Sequence, residues 1–215
     1  GVMHTANTLF SNIVPYAERL HLNQNDVVLM ASPMAHQTGF MYGLIMPIEL
    51  NAKVVLQDVW DVSQAVDLIH QHQVSFTMAS TPFLNDLSTT VAERHDQVSS
   101  LKTFLCAGAP IPGPLVQKAR ETLGVKVISA WGMTECGAIT TTRPEDEDER
   151  SFSTDGIALP GVEIKIVNKA GEIKPFNEPG RLMIRSCSSF GGYLKRAHLN
   201  DTDADDWFDT GDIAY

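Results

Sequence analysis

The sequence predicts an α/β fold: a largely parallel sheet with flanking helices, followed by a smaller antiparallel β subdomain. Three observations predict it. Up to about residue 131, short apolar runs rich in β-branched residues alternate with stretches of helical periodicity, as in successive βαβ units. Beyond Arg143 the apolar runs alternate in polarity and are bounded by Gly and Pro, as strands are when one sheet face is wet. Finally, 215 residues with 43% hydrophobic and 20% charged side chains suffice for a substantial core, in one large domain or one domain plus part of another.

A first helix is expected over 7–20 and a strand at Val27-Val28-Leu29-Met30. A second helical stretch covers 41–50, and Lys53-Val54-Val55-Leu56 is the next strand. Asp61-Val62-Ser63-Gln64 reads as a capping box, with Asp61 bonding the first turn and Gln64 reaching back. Behind it Ala65, Leu68 and Ile69 recur at helical spacing. A strand over 74–79, a helix over 82–91 and a strand over 101–106 follow. The helix at 114–123 starts on Pro114, whose fixed φ suits a first turn. A fifth strand occupies 125–130. The charged run 144–150 reads as a solvated, mobile surface loop, and strands are expected beyond it at 162–167 and 181–185. The division between an α/β part (1–143) and a β-rich part (144–215) is placed in that loop.

Charge and composition exclude several functions. A net charge of −10 argues against nucleic acid, because neutralising phosphates takes a basic face. It leaves room for ATP, whose phosphates Mg²⁺ and backbone N–H groups can meet. No apolar run reaches the length of a membrane span, so no transmembrane segment is expected, while peripheral membrane contact stays open. Cys106, Cys136 and Cys187 are odd in number and far apart, which suits reduced thiols in a cytoplasmic protein. Cys136 reads as a small apolar filler. The histidines show no metal-ligand spacing, and His70 and His72 would not share a helix face. The acidic run 201–206 imitates a calcium loop but carries Asp206 where a glycine is needed.

Four short segments carry chemistry. Trp131-Gly132-Met133-Thr134-Glu135 follows the fifth strand, and ligands in open α/β sheets collect beyond strand carboxyl ends. An aromatic can flank a base, a hydroxyl can bond a phosphate oxygen, and a carboxylate can hold Mg²⁺. Pro33-Met34-Ala35-His36-Gln37-Thr38-Gly39-Phe40 follows the first strand, and Gly108-Ala109-Pro110 follows the fourth. Trp207-Phe208-Asp209-Thr210-Gly211-Asp212 lies near the end, where the Asp212 carboxylate can accept from two hydroxyls at once.

In this order and spacing the four segments resemble the motifs of adenylate-forming enzymes, the superfamily of acyl-CoA synthetases, luciferases and peptide-synthetase adenylation domains. The resemblance covers essentially the whole chain and is closest to the fatty acyl-CoA ligases. It implies an AMP-forming acid–thiol ligase with ATP, Mg²⁺ and coenzyme A as cofactor and co-substrates. Gly108, Ala109, Pro110, Trp131, Gly132 and Met133 are implied to surround adenine, and Asp212 to hold the ribose. Thr134 is implied to bond the α-phosphate, Glu135 to hold Mg²⁺, and His36 to gate the passage between acid and phosphates. His36, Thr81 and Gly137 are expected at the acid.

Amino-acid-activating relatives carry an Asp near this histidine to pair with the substrate ammonium. Here the residues are Ala35-His36-Gln37, so an amine-free carboxylic acid is expected, a fatty acid first. The alternatives are an adenylate-former that loads a carrier protein and a non-catalytic nucleotide-binding module. The resemblance further implies a Ser/Thr/Gly-rich phosphate loop ahead of Gly1, and a hinge and a C-terminal domain with a catalytic lysine beyond Tyr215. Residues 1–215 alone are therefore expected to be inactive in adenylation.

Overall fold

The structure is a computed structural model that describes residues 1–95 and 98–215. Five strands, β1 (Val27–Met30), β2 (Lys53–Leu56), β3 (Phe76–Ala79), β4 (Thr103–Ala107) and β5 (Lys126–Met133), pair in parallel in the order β2-β1-β3-β4-β5. Two antiparallel strands, β6 (Gly137–Thr141) and β7 (Ile157–Ala158), extend this sheet beyond β5. A separate antiparallel sheet holds β8 (Val162–Val167), β9 (Gly180–Ser186) and β10 (Phe208–Ala214), with β9 in the middle. The predicted α/β class with a smaller antiparallel sheet is what the chain adopts.

Alternation along the strands builds two cores on opposite faces. Phe104 and Val127 join one cluster with α4 (Val62–His72), α5 (Thr81–Arg94) and α6 (Gly113–Leu123), through Ile69, Leu87 and Ala119. Their neighbours Leu105 and Ile128 join the other, with Ile13 and Tyr16 of α1 (Ala6–Arg19) and Met41, Tyr42 and Met46. Strands covered on both faces read as continuous apolar runs, which is why β1, β3 and β4 are legible as they are.

Helix entries follow local chemistry. Thr5 caps α1 and forms a reciprocal box with Thr8, at 3.2 and 3.0 Å. At α4 only half the expected box forms. Asp61 accepts from the Gln64 N–H at 2.9 Å, but the Gln64 side chain accepts instead from Gln57 Nε2 at 3.1 Å, because buried Gln57 needs a partner. The helical stretch expected over 41–50 begins earlier and is not uniform: α2 (Gln37–Phe40) runs into a π-turn, Met41–Ile45, and then α3 (Met46–Leu50). A π-turn rotates the side chains after it and often marks a functional position.

Three further differences have physical causes. β5 runs three residues past Ala130, because β6 folds back on it and gives Trp131, Gly132 and Met133 ladder partners. Thr210, Gly211 and Asp212 lie within β10, where the register shifts between Asp209 and Ile213. The change of sheet comes between Ala158 and Val162, later than the division expected at 143/144, because the chain first returns to the large sheet through β7.

The acidic loop is also held. Asp148 bridges Lys126 of β5 at 2.8 Å and Arg120 of α6 at 2.5 Å, and α7 (Arg150–Ser153) packs behind it. The Lys126 hydrogen bond, foremost, and the Arg120 contact hold the Asp148 carboxyl below its usual value. A depressed carboxylate stabilises the fold above its unfolded value of about 4, and the contribution is lost as pH falls through the lower folded value. Melting of the wild type and Asp148→Asn should therefore differ near neutral pH and converge below about pH 4. A difference that stays constant across the acid range would count against this.

Candidate active site

The β5–β6 hairpin carries the densest chemistry. Gly132 fits here because a Cβ would lie 2.2 Å from the Gly137 carbonyl oxygen, and Gly137 itself sits at a φ of +74°. The turn between the strands, at 134–136, presents Thr134 and Glu135, followed by buried Cys136. Burial pushes the Cys136 thiol up to about 12, so it is no nucleophile, in keeping with a filler role.

Two cavities meet at this hairpin. The larger, about 590 Å³, is lined by His36, Gln37, Tyr42, Met78, Phe83 and the strand end from Ala130 to Glu135, with Gly137 and Ala138 behind. The second, about 490 Å³, is lined by Gly108, Ala109, Pro110, Ser129, Trp131 and the segment Ser151 to Asp155. Gly108, Ala130, Trp131 and Gly132 line both. All the predicted site residues except Thr81 and Asp212 line one or both of these cavities.

His36 is the N-cap of α2, and its Nδ1 accepts from the Thr38 N–H at 3.2 Å. In the neutral ring the proton therefore sits on Nε2, a donor on a residue that lines the larger cavity. Thr81 does not line that cavity. Its hydroxyl donates to the Pro110 carbonyl at 3.2 Å, tying the start of α5 to the loop after β4, and it borders a separate shallow groove with Ala109 and Pro110. Asp212 lies outside both linings, but its carboxylate accepts from the Trp131 indole N–H at 3.0 Å. The small sheet is joined there to the wall of the two cavities.

Several partners of the site were not legible in the sequence. The Thr134 carbonyl accepts from His4 Nε2 at 2.7 Å and from Gln37 Nε2 at 2.9 Å. Tyr193 donates its hydroxyl to Glu135 Oε1 at 2.7 Å. Burial first, then this carboxylate, pushes the Tyr193 hydroxyl up to about 12. Behind the hairpin, Tyr42 donates to Asn12 Oδ1 at 2.7 Å and accepts from the Ala138 N–H at 2.8 Å. Asn12 Nδ2 donates to the Ala138 carbonyl at 2.6 Å. Burial holds the Tyr42 hydroxyl well above its ordinary value. The one local signal was Gln37, which adjoins His36 in the same motif.

Among the described residues, no three His, Cys, Asp or Glu side chains converge as a metal cage. Glu135 instead offers one carboxylate oxygen, Oε2, that no described donor occupies. This fits Mg²⁺, which keeps several waters and binds through one or two carboxylates plus substrate phosphates.

Residues 1–194 match the AMP-binding enzyme family. The chain belongs to that family. An AMP-binding enzyme similar to it is the medium-chain fatty-acid–CoA ligase of Escherichia coli (strain K12), 32% identical over 99% of this chain and 38% of that protein. Another is the 2-succinylbenzoate–CoA ligase of Bacillus pumilus (strain SAFR-032), 32% identical over 100% of this chain and 43% of that protein. O-succinylbenzoate coenzyme A synthetase from Bacillus subtilis, solved in complex with AMP, superposes with a TM-score of 0.90 at 29% identity. That match covers 100% of this chain and 44% of that one, and the same enzyme has been solved with ATP and a magnesium ion. The chain spans about two fifths of the length of the curated relatives it matches.

Proposed function

We propose that the full-length protein is an ATP-dependent, AMP-forming acid–thiol ligase, and that this chain forms its ATP- and acid-binding part. The observation that carries the reading is the pair of cavities meeting at Trp131 and Gly132, beside the turn bearing Thr134 and Glu135. One cavity suits a flat base between small backbone segments, the other an acyl group, and the reacting atoms would meet at the shared wall.

In the first half-reaction a carboxylate oxygen attacks the α-phosphorus of ATP and pyrophosphate leaves. In the second a CoA thiol attacks the acyl carbonyl and AMP leaves. No protein nucleophile is required, so these side chains act by positioning and charge neutralisation. Thr134 would donate to an α-phosphate oxygen, and His36 Nε2 would donate at the junction of acid and phosphate. Glu135 would hold Mg²⁺, which neutralises phosphate charge when bound. Trp131 would border adenine, and its bond to Asp212 would orient that carboxylate for the ribose.

The acid is proposed to lack an amine, with fatty acids preferred. Tyr42, Met78, Ala79 and Phe83 line the larger cavity, and Glu135 is the single carboxylate among its lining residues. The reading gives that carboxylate to Mg²⁺, so an ammonium would find no other carboxylate among the lining residues and would stay unpaired, at a cost of several kcal/mol, roughly the scale for buried charge. Fatty acids, aryl acids and α-amino acids assayed by pyrophosphate release should divide cleanly, with activity on the amine-free acids alone. Preference for an α-amino acid would overturn the assignment.

A further inference from the structure

Tyr193 holds one oxygen of the carboxylate to which the proposed function gives Mg²⁺. Its hydroxyl donates to Glu135 Oε1 at 2.7 Å, from a position 58 residues away in sequence. The Tyr193 ring is itself held. Phe190 packs edge-on against it at 4.8 Å and against Phe208 of β10 at 5.2 Å, and the Phe190 N–H donates to the Glu135 carbonyl at 2.7 Å. The Tyr193 N–H donates to Asn200 Oδ1 at 2.9 Å. The flanking backbone is tied to the start of the chain, with Met3 N–H to the Gly192 carbonyl at 3.0 Å and Gly191 N–H to the Met3 carbonyl at 2.8 Å.

A carboxylate with one oxygen accepting a hydrogen bond from a fixed phenol cannot readily chelate a cation through both oxygens. It presents the other oxygen alone. Mg²⁺ accepts that, because it demands octahedral geometry and fills its remaining positions with water and phosphate. Ca²⁺ is larger, takes six to eight oxygens and commonly uses a carboxylate bidentately. We propose that Tyr193 is a positioning residue that makes Glu135 a one-oxygen ligand and so biases the site toward Mg²⁺ over Ca²⁺. The proposal rests on Glu135 being the Mg²⁺ ligand.

The test uses the full-length protein with a non-hydrolysable ATP analogue and measures cation affinity directly, by calorimetric titration of Mg²⁺ and of Ca²⁺. In Tyr193→Phe the ring and its packing remain while Glu135 Oε1 is released. Mg²⁺ affinity should fall roughly tenfold, the usual scale for losing a group that orients a metal ligand, and the Mg²⁺/Ca²⁺ affinity ratio should narrow. Asn200→Ala, which loosens Tyr193 but keeps its hydroxyl, should move both quantities in the same direction by less, and serves if the first variant folds poorly. Glu135→Gln separates the two layers of the argument. If it weakens Mg²⁺ while a folded Tyr193→Phe protein keeps wild-type affinity and ratio, the role of Tyr193 is refuted. If Glu135→Gln leaves Mg²⁺ affinity untouched, the metal assignment beneath it fails, and the proposal with it.

Discussion

Glu135→Ala in the full-length protein should lower acid-dependent exchange of labelled pyrophosphate into ATP by about 10²–10³, the scale on which enzymes lose rate when one preorganised electrostatic contact is removed. The fold should survive. Glu135 is half-buried and lines a cavity rather than filling a core, and Tyr193, whose hydroxyl would lose its acceptor, is likewise only half-buried. Thermal melting should therefore shift little while exchange collapses. Near-normal exchange by a folded Glu135→Ala protein would falsify the assigned role. Loss of both exchange and cooperative melting would mean that the carboxylate matters for the hairpin rather than for phosphate chemistry.

Asn12→Ala should be the most destabilising change near the site, although Asn12 itself lines neither cavity. It is 1% exposed, and it joins the Tyr42 hydroxyl to the end of the hairpin turn and the start of β6, by accepting from Tyr42 and donating to the carbonyls of Cys136 and Ala138. Truncation opens a small void and leaves a buried phenol and a buried carbonyl short of a partner. Each such orphan costs about 1–3 kcal/mol, so a total loss of about 2–6 kcal/mol is expected by chemical denaturation. For a chain of this size each kcal/mol corresponds to a Tm change of roughly 2–4 °C. Tyr42→Phe keeps the ring and its 4.5 Å contact with Tyr16 and should cost less. A Tm within about 2 °C of wild type for Asn12→Ala would show that water replaces the side chain without penalty.

Much of the fold was legible because it is written locally. The runs at 27–30 and 53–56 became β1 and β2 with the bounds expected, since β-branched apolar segments between turn signals have few other stable states. Pro114 stood in the first turn of α6 as its fixed φ requires. β6 was missed for the opposite reason. All five of its residues are buried, and they follow directly on the site motif, so no alternation in polarity marks them. β10 was masked because its Thr-Gly-Asp stretch looks like a loop, and it is a strand only because β9 offers it a partner.

By itself the sequence determined the α/β class, the chain of βαβ units and the residue types that border the two cavities, because hydrophobic periodicity, caps and short motifs act within a few residues. Tertiary structure alone decided what those residues touch. Trp131 meets Asp212 across 81 positions, Glu135 meets Tyr193 across 58, and Asn12 meets Ala138 across 126. It also decided that Thr81 braces the loop after β4 instead of lining the larger cavity, and that the acidic loop is pinned by Asp148. The physical reason is that a hydrogen bond depends on a separation of about 3 Å and a direction. Residues far apart in the chain reach that geometry only after the sheets have paired and the cores have packed.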